Sequence, residues 1–167
     1  MACINIAGTV NDSIVDGEGY RFTIFTQGCP HHCEGCQNPQ THDFTSGKPA
    51  DTDELLTRIL DNPLLSGVTF SGGEPFCQPQ PLVELSEKLH EHGLDIWAYT
   101  GYTLEELSHM DNPAIGALLQ NIDVLVDGKF DLQQRDLTLA FRGSRNQRVI
   151  DMEKTRQNGS IIKKILD

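Results

Sequence analysis

The chain has 167 residues, 38% of them hydrophobic and 22% charged; this size and balance fit one folded domain over 1–167 and exclude a disordered polymer. Thirteen Lys and Arg against 24 Asp and Glu leave a net charge of −11, which excludes the phosphate backbone of a nucleic acid as principal ligand. No run approaches the ~20 apolar residues of a membrane span, and the start Met1-Ala2-Cys3-Ile4-Asn5 has no basic segment leading into an apolar one, so a cytoplasmic protein is expected.

In chain order, 4–10 and 21–26 read as strands joined by a turn through Asp16-Gly17-Glu18-Gly19. A loop over 27–39 carries the crowded cysteines. Asp51 followed by Glu54 has the pattern of a capping box opening a helix through Leu55, Leu56, Ile59 and Leu60. Val68 to Ser71 is a short strand ending in Gly72-Gly73. The helix over 80–92 places Leu82, Leu85 and Leu89 on one face. Beyond it come a strand (94–100), helices (104–110 and 113–121) and strands (122–126 and 148–152). Strands alternating with helices predict a parallel sheet of βαβ units. A closed eight-stranded barrel takes ~250 residues, so an incomplete barrel or a doubly wound sheet is expected.

Five cysteines are present, three of them within eight residues, and in a reducing compartment such crowding points to a metal rather than to disulfides. The run Cys29-Pro30-His31-His32-Cys33-Glu34-Gly35-Cys36 is spaced C-x3-C-x2-C. Three thiolates on one short loop can hold three corners of a 4Fe–4S cubane and leave the fourth iron open. A Cys3His zinc site completed by His31, His32 or His42 is the competing reading. His31 and His32 are poorly placed for it, between the ligating cysteines of a tight loop. Cys3 and Cys77 follow no ligand spacing; they read as an inert strand residue and a small buried hydrophobe. Trp97 and Tyr99 read as core or barrel wall.

The cysteine motif after a strand, with Gly72-Gly73-Glu74-Pro75 after the next, resembles the radical S-adenosylmethionine superfamily. Asp16-Gly17-Glu18-Gly19-Tyr20-Arg21 is similar to the Asp-Gly-Pro-Gly-x-Arg stretch of glycyl-radical activating enzymes, with Glu18 in place of proline. Three further runs, 36–41 (Cys-Gln-Asn-Pro-Gln-Thr), 124–130 (Val-Leu-Val-Asp-Gly-Lys-Phe) and 141–148 (Phe-Arg-Gly-Ser-Arg-Asn-Gln-Arg), narrow the resemblance. They are similar to the branch that activates anaerobic ribonucleoside-triphosphate reductases.

The resemblance implies an incomplete (β/α) barrel of the radical S-adenosylmethionine type in a single domain. It implies a 4Fe–4S cluster on Cys29, Cys33 and Cys36, with S-adenosyl-L-methionine on the open iron. Cofactor contacts fall to Gly35, Cys36, Gln37, Gly72, Gly73 and Glu74, with Glu74 on the methionine end. Gly35 departs from the superfamily, where an aromatic residue often precedes the third cysteine near the adenine. The implied reaction is reductive cleavage of S-adenosylmethionine and formation of a glycyl radical on the large subunit of the anaerobic reductase. A flavodoxin-type protein supplies the electron, and no catalytic side chain is required. An activase for another glycyl-radical enzyme is the rival within this class. Arg142, Arg145 and Arg148 concentrate positive charge, either to meet the partner or the cofactor carboxylate or as a solvated hairpin.

Overall fold

A computed structural model describes residues 2–166. Its strands are β1 (Cys3–Ser13), β2 (Arg21–Thr26), β3 (Lys48–Asp51), β4 (Gly67–Gly72), β5 (Asp95–Tyr99), β6 (Val124–Asp127) and β7 (Arg148–Asp151). Its helices are α1 (Thr52–Leu60), α2 (Pro79–Glu91), α3 (Leu104–Ser108), α4 (Pro113–Asn121) and α5 (Met152–Asn158). The strands form one sheet in the order β3-β1-β2-β4-β5-β6-β7. The centre, β2-β4-β5-β6, is parallel, while β1, β3 and β7 are added antiparallel.

This order decides between the two expected architectures. A doubly wound sheet reverses its direction of growth at a switch point and so places helices on both faces. Here β2, β4, β5 and β6 follow one another without reversal. Right-handed crossovers of constant direction carry α1, α2 and α4 to one face. With β3 and β7 at its two edges the sheet does not close, and the fold is an open, incomplete barrel.

The helical face holds the larger core. Ile24, Phe70, Ile96 and Leu125 from the strands meet Leu55, Ile59, Leu82, Leu85, Leu89 and Leu118 from the helices. Strand side chains alternate between faces, so Trp97 and Tyr99 point the other way from Ile96 and Ala98. Trp97 joins Val124, Val126 and Val149 in a smaller cluster flanked by Tyr99 and Phe141. The helix-free face is left to receive loops.

Two local expectations are corrected, and one strand is added. The residues 48–51 form β3 on β1 before the first helix begins, because Pro49, with no N–H, is tolerated on an edge strand. Asp51 caps α1 through the N–H of Asp53, without the reciprocal Glu54 contact; the reciprocal box is Thr103 with Glu106. The sheet is mixed, since β7 returns antiparallel on β6 through a long loop with no helical crossover.

Candidate active site

The cysteine loop leaves β2 at the carboxyl edge of the parallel strands. It folds back on itself: Gly28 N–H donates to Thr41 O at 2.7 Å and Cys29 N–H to His42 O at 3.2 Å. The Gln27 amide ties down the outer turn by donating to Gln40 O and Asp43 O. The glycine pair after β4 closes against this loop. Gly73 N–H donates to Thr26 O and Glu74 N–H to Gly28 O, both at 2.8 Å. A Cβ on Gly72 would strike the Thr26 nitrogen and the Phe25 backbone, and one on Gly73 would strike Gly28 O. The Gly-Gly sequence is therefore required by close backbone approach, of Gly72 to the end of β2 and of Gly73 to the cysteine loop.

The loop roofs a cavity of about 500 Å³ on the carboxyl edge. Cys29, Cys33 and Cys36 all line it, beside Gln37, Gly72 and Gly73. Thr100 and Gly101 after β5 and Gly128 and Phe130 after β6 continue the wall, and Ile14, Val15 and Asp16 form part of the rim. All three thiols are free. Burial pushes the Cys29 and Cys33 thiols above their usual range. Backbone N–H groups oppose this, from His31 to the Cys29 sulfur and from Phe130 to the Cys33 sulfur. Asn38 N–H points at the Cys36 sulfur at 3.4 Å. The Cys36 sulfur thus has a main-chain donor in place.

That arrangement fits a 4Fe–4S cluster. Hydrogen bonds to ligating sulfurs are the means by which a protein sets a cluster's charge and potential. The zinc alternative fits less well. His31, one of its candidate fourth ligands, has its Nε2 engaged by Glu74 at 2.7 Å.

The family model described as a 4Fe-4S single cluster domain matches residues 15–150. The Anaerobic ribonucleoside-triphosphate reductase-activating protein of Salmonella typhi is 39% identical over 143 residues, covering 80% of this chain and 90% of that one. Its namesake in Escherichia coli (strain K12) matches to the same extent. The chain belongs to the anaerobic ribonucleoside-triphosphate reductase-activating protein family. The solved structure of QueE from Escherichia coli is similar at 21% identity over 60% of this chain and 54% of that one, with a TM-score of 0.48.

The residues expected at the cofactor separate into two groups. Cys36, Gln37, Gly72 and Gly73 lie on the cavity, whereas Gly35 and Glu74 do not line it. Gly35 turns toward Leu132 and Phe130, and the Glu74 carboxylate is wholly buried among protein donors. The aromatic surface missing at Gly35 is supplied from afar: Phe130, Phe141 and Tyr99 all line the cavity. Sequence reasoning gave Tyr99 a wall position and passed over Phe130 and Phe141 as contacts, because no local spacing links the β6–β7 loop to the cysteines.

The three arginines do not act as a unit. Arg148 is paired with Asp127 and Glu105, Arg145 is exposed, and Arg142 alone lines the cavity. Its guanidinium donates to Gln147 O at 2.8 Å, and its buried Nε has no partner among the described residues. Asp127 is turned from the cavity toward Arg148 and the N–H of Leu104. Lys129 lies close enough to Cys33 to favour its thiolate. Cys77, expected to be buried, is exposed, since it ends a 3-10 turn whose Pro75 and Phe76 take the inward positions.

Proposed function

We propose that the chain activates an anaerobic ribonucleoside-triphosphate reductase by placing a glycyl radical on its large subunit. The observation that carries this reading is the trio of free thiols that line one cavity. Cys29, Cys33 and Cys36 would hold a 4Fe–4S cluster, and that group would supply the single electron that cleaves S-adenosylmethionine to methionine and an adenosyl fragment able to take a Cα hydrogen from the glycine.

The protein's own work is binding, orientation and exclusion of water. Gly72 and Gly73 give a wall without side chains beside the cysteines, suited to the amino-acid end of the cofactor. Gln37, Phe130 and Phe141 are placed to meet its nucleoside. Ile14 and Val15, both exposed, stand on the cavity rim, where an apolar segment of the partner can cover them. The open sheet leaves that side accessible to a loop of another protein. A flavodoxin-type protein is the electron donor in this reading, and the cytoplasm, where five free thiols persist, is its compartment. No helix among the described residues is long and apolar enough to cross a membrane.

The test is anaerobic incubation of the chain with dithionite, S-adenosylmethionine and the reductase, read by electron paramagnetic resonance. A glycyl doublet on the reductase is expected. Cleavage of S-adenosylmethionine without that doublet would contradict the assigned substrate.

A further inference from the structure

Glu74 sits at the junction of three segments, and its bonds leave it nothing to offer a ligand. The residue is 0% exposed. Its Oε1 accepts from His31 Nε2 at 2.7 Å, from Thr100 Oγ1 at 2.9 Å and from the Gly101 N–H at 2.8 Å. Its Oε2 accepts from Thr100 Oγ1 at 3.0 Å and from the Phe76 N–H at 3.1 Å. A carboxylate has about four lone-pair sites, and donors from the protein fill them.

The His31 side chain, only 4% exposed, is held as tightly. Tyr102 packs edge-on against its ring with centroids 4.5 Å apart. Any side chain at Gly101 would collide with that ring. His31 lies between the first two cysteines of the motif, two residues from Cys29. One carboxylate thus fastens the end of β4, the end of β5 and the middle of the cysteine loop together.

We infer that Glu74 and His31 form a latch that holds the cysteine loop in its cluster-binding shape. Glu74 is then a positioning residue for the cluster, in place of the direct contact with the methionine end that the resemblance implies. The inference rests on the cluster reading proposed above.

The test uses the whole chain as wild type, His31→Ala, Glu74→Gln and the double variant, each reconstituted anaerobically with iron and sulfide. Cluster affinity under chelator competition, cluster midpoint potential, S-adenosylmethionine affinity and the melting temperature of the apoprotein are measured. Each single variant is expected to lose about ten-fold in cluster affinity, the scale of outer-shell substitutions, and to shift the potential in a common direction. The double variant should match the singles, as members of one unit do. Additive losses, or a Glu74→Gln protein with wild-type cluster affinity and potential but weakened S-adenosylmethionine binding, would overturn the latch. Should Glu74→Gln fail to fold, His31→Ala decides alone: unchanged affinity and potential reject the inference. A wild-type chain that takes up no sulfide rejects the cluster reading itself, a separate result.

Discussion

Arg21 shows how a residue selected by a motif can serve the fold. Wholly buried, it donates from Nε to Thr69 Oγ1 at 2.7 Å and from its Nη atoms to Glu18 O and Val68 O, while pairing with Asp95 at 2.7 Å. Its guanidinium lies over the Trp97 ring at 5.5 Å. Lysine cannot satisfy a planar fork of this kind. Arg21→Lys is expected to destabilise the fold by about 2 kcal/mol, the scale of leaving the buried Thr69 and Val68 acceptors without their donor, measured by urea unfolding. The loss should appear in the apoprotein, because the bonds hold the 14–20 loop and strand ends rather than any ligand. The cysteine trio was visible in the sequence because it is a local pattern on one loop, although its spacing alone left a cluster and a zinc site both open. The crowding that requires Gly72 and Gly73 was not, because it depends on Thr26 and Gly28, more than forty residues earlier in the chain.

At the scale of elements, periodicity located every helix before α5 and every central strand, because each buries one regular face. It could not give β3, a four-residue edge strand containing Pro49, nor the antiparallel return of β7, which depends on the path of a distant loop. α5 follows Asp151, whose side chain accepts from Lys154 N–H, and stops at Gly159 in the left-handed conformation. The β6–β7 loop reaches the cavity from an anchor at its base, where Arg148 pairs with the buried Asp127. Arg148→Gln leaves that carboxylate without its cation and is expected to cost about 3 kcal/mol. Arg145→Gln, at an exposed position of the same loop, should leave the urea midpoint unchanged. Equal effects of the two substitutions would contradict the distinction drawn among the three arginines. A Gly72→Ala substitution belongs to this scale as well. It should lower the apoprotein melting temperature and the iron retained together, because it forces β4 away from the start of the cysteine loop.

For the whole molecule, an uninterrupted parallel order puts the helices on one face and leaves the other for the cysteine loop, the 14–20 loop and the β6–β7 loop. Those three loops enclose the cavity, and their residues are spread from 14 to 147. Alternation and length were therefore enough for an α/β sheet, either an incomplete barrel or doubly wound, whereas the resemblance was needed to choose between them and the cavity wall was not readable at all. Substituting Ile14 and Val15 by Ser should weaken binding to the reductase and leave S-adenosylmethionine cleavage at its uncoupled rate. Loss of both activities together would contradict a partner-facing rim. The central claim is that three thiols hold a 4Fe–4S cluster whose fourth iron accepts S-adenosylmethionine. Its most direct measurement is the electron paramagnetic resonance spectrum of the reduced, anaerobically reconstituted chain before and after S-adenosylmethionine is added. The account predicts a reduced-cluster signal that changes on addition and is absent from the Cys29→Ala, Cys33→Ala and Cys36→Ala proteins. A protein that binds zinc without sulfide, or a cluster signal indifferent to S-adenosylmethionine, would contradict it.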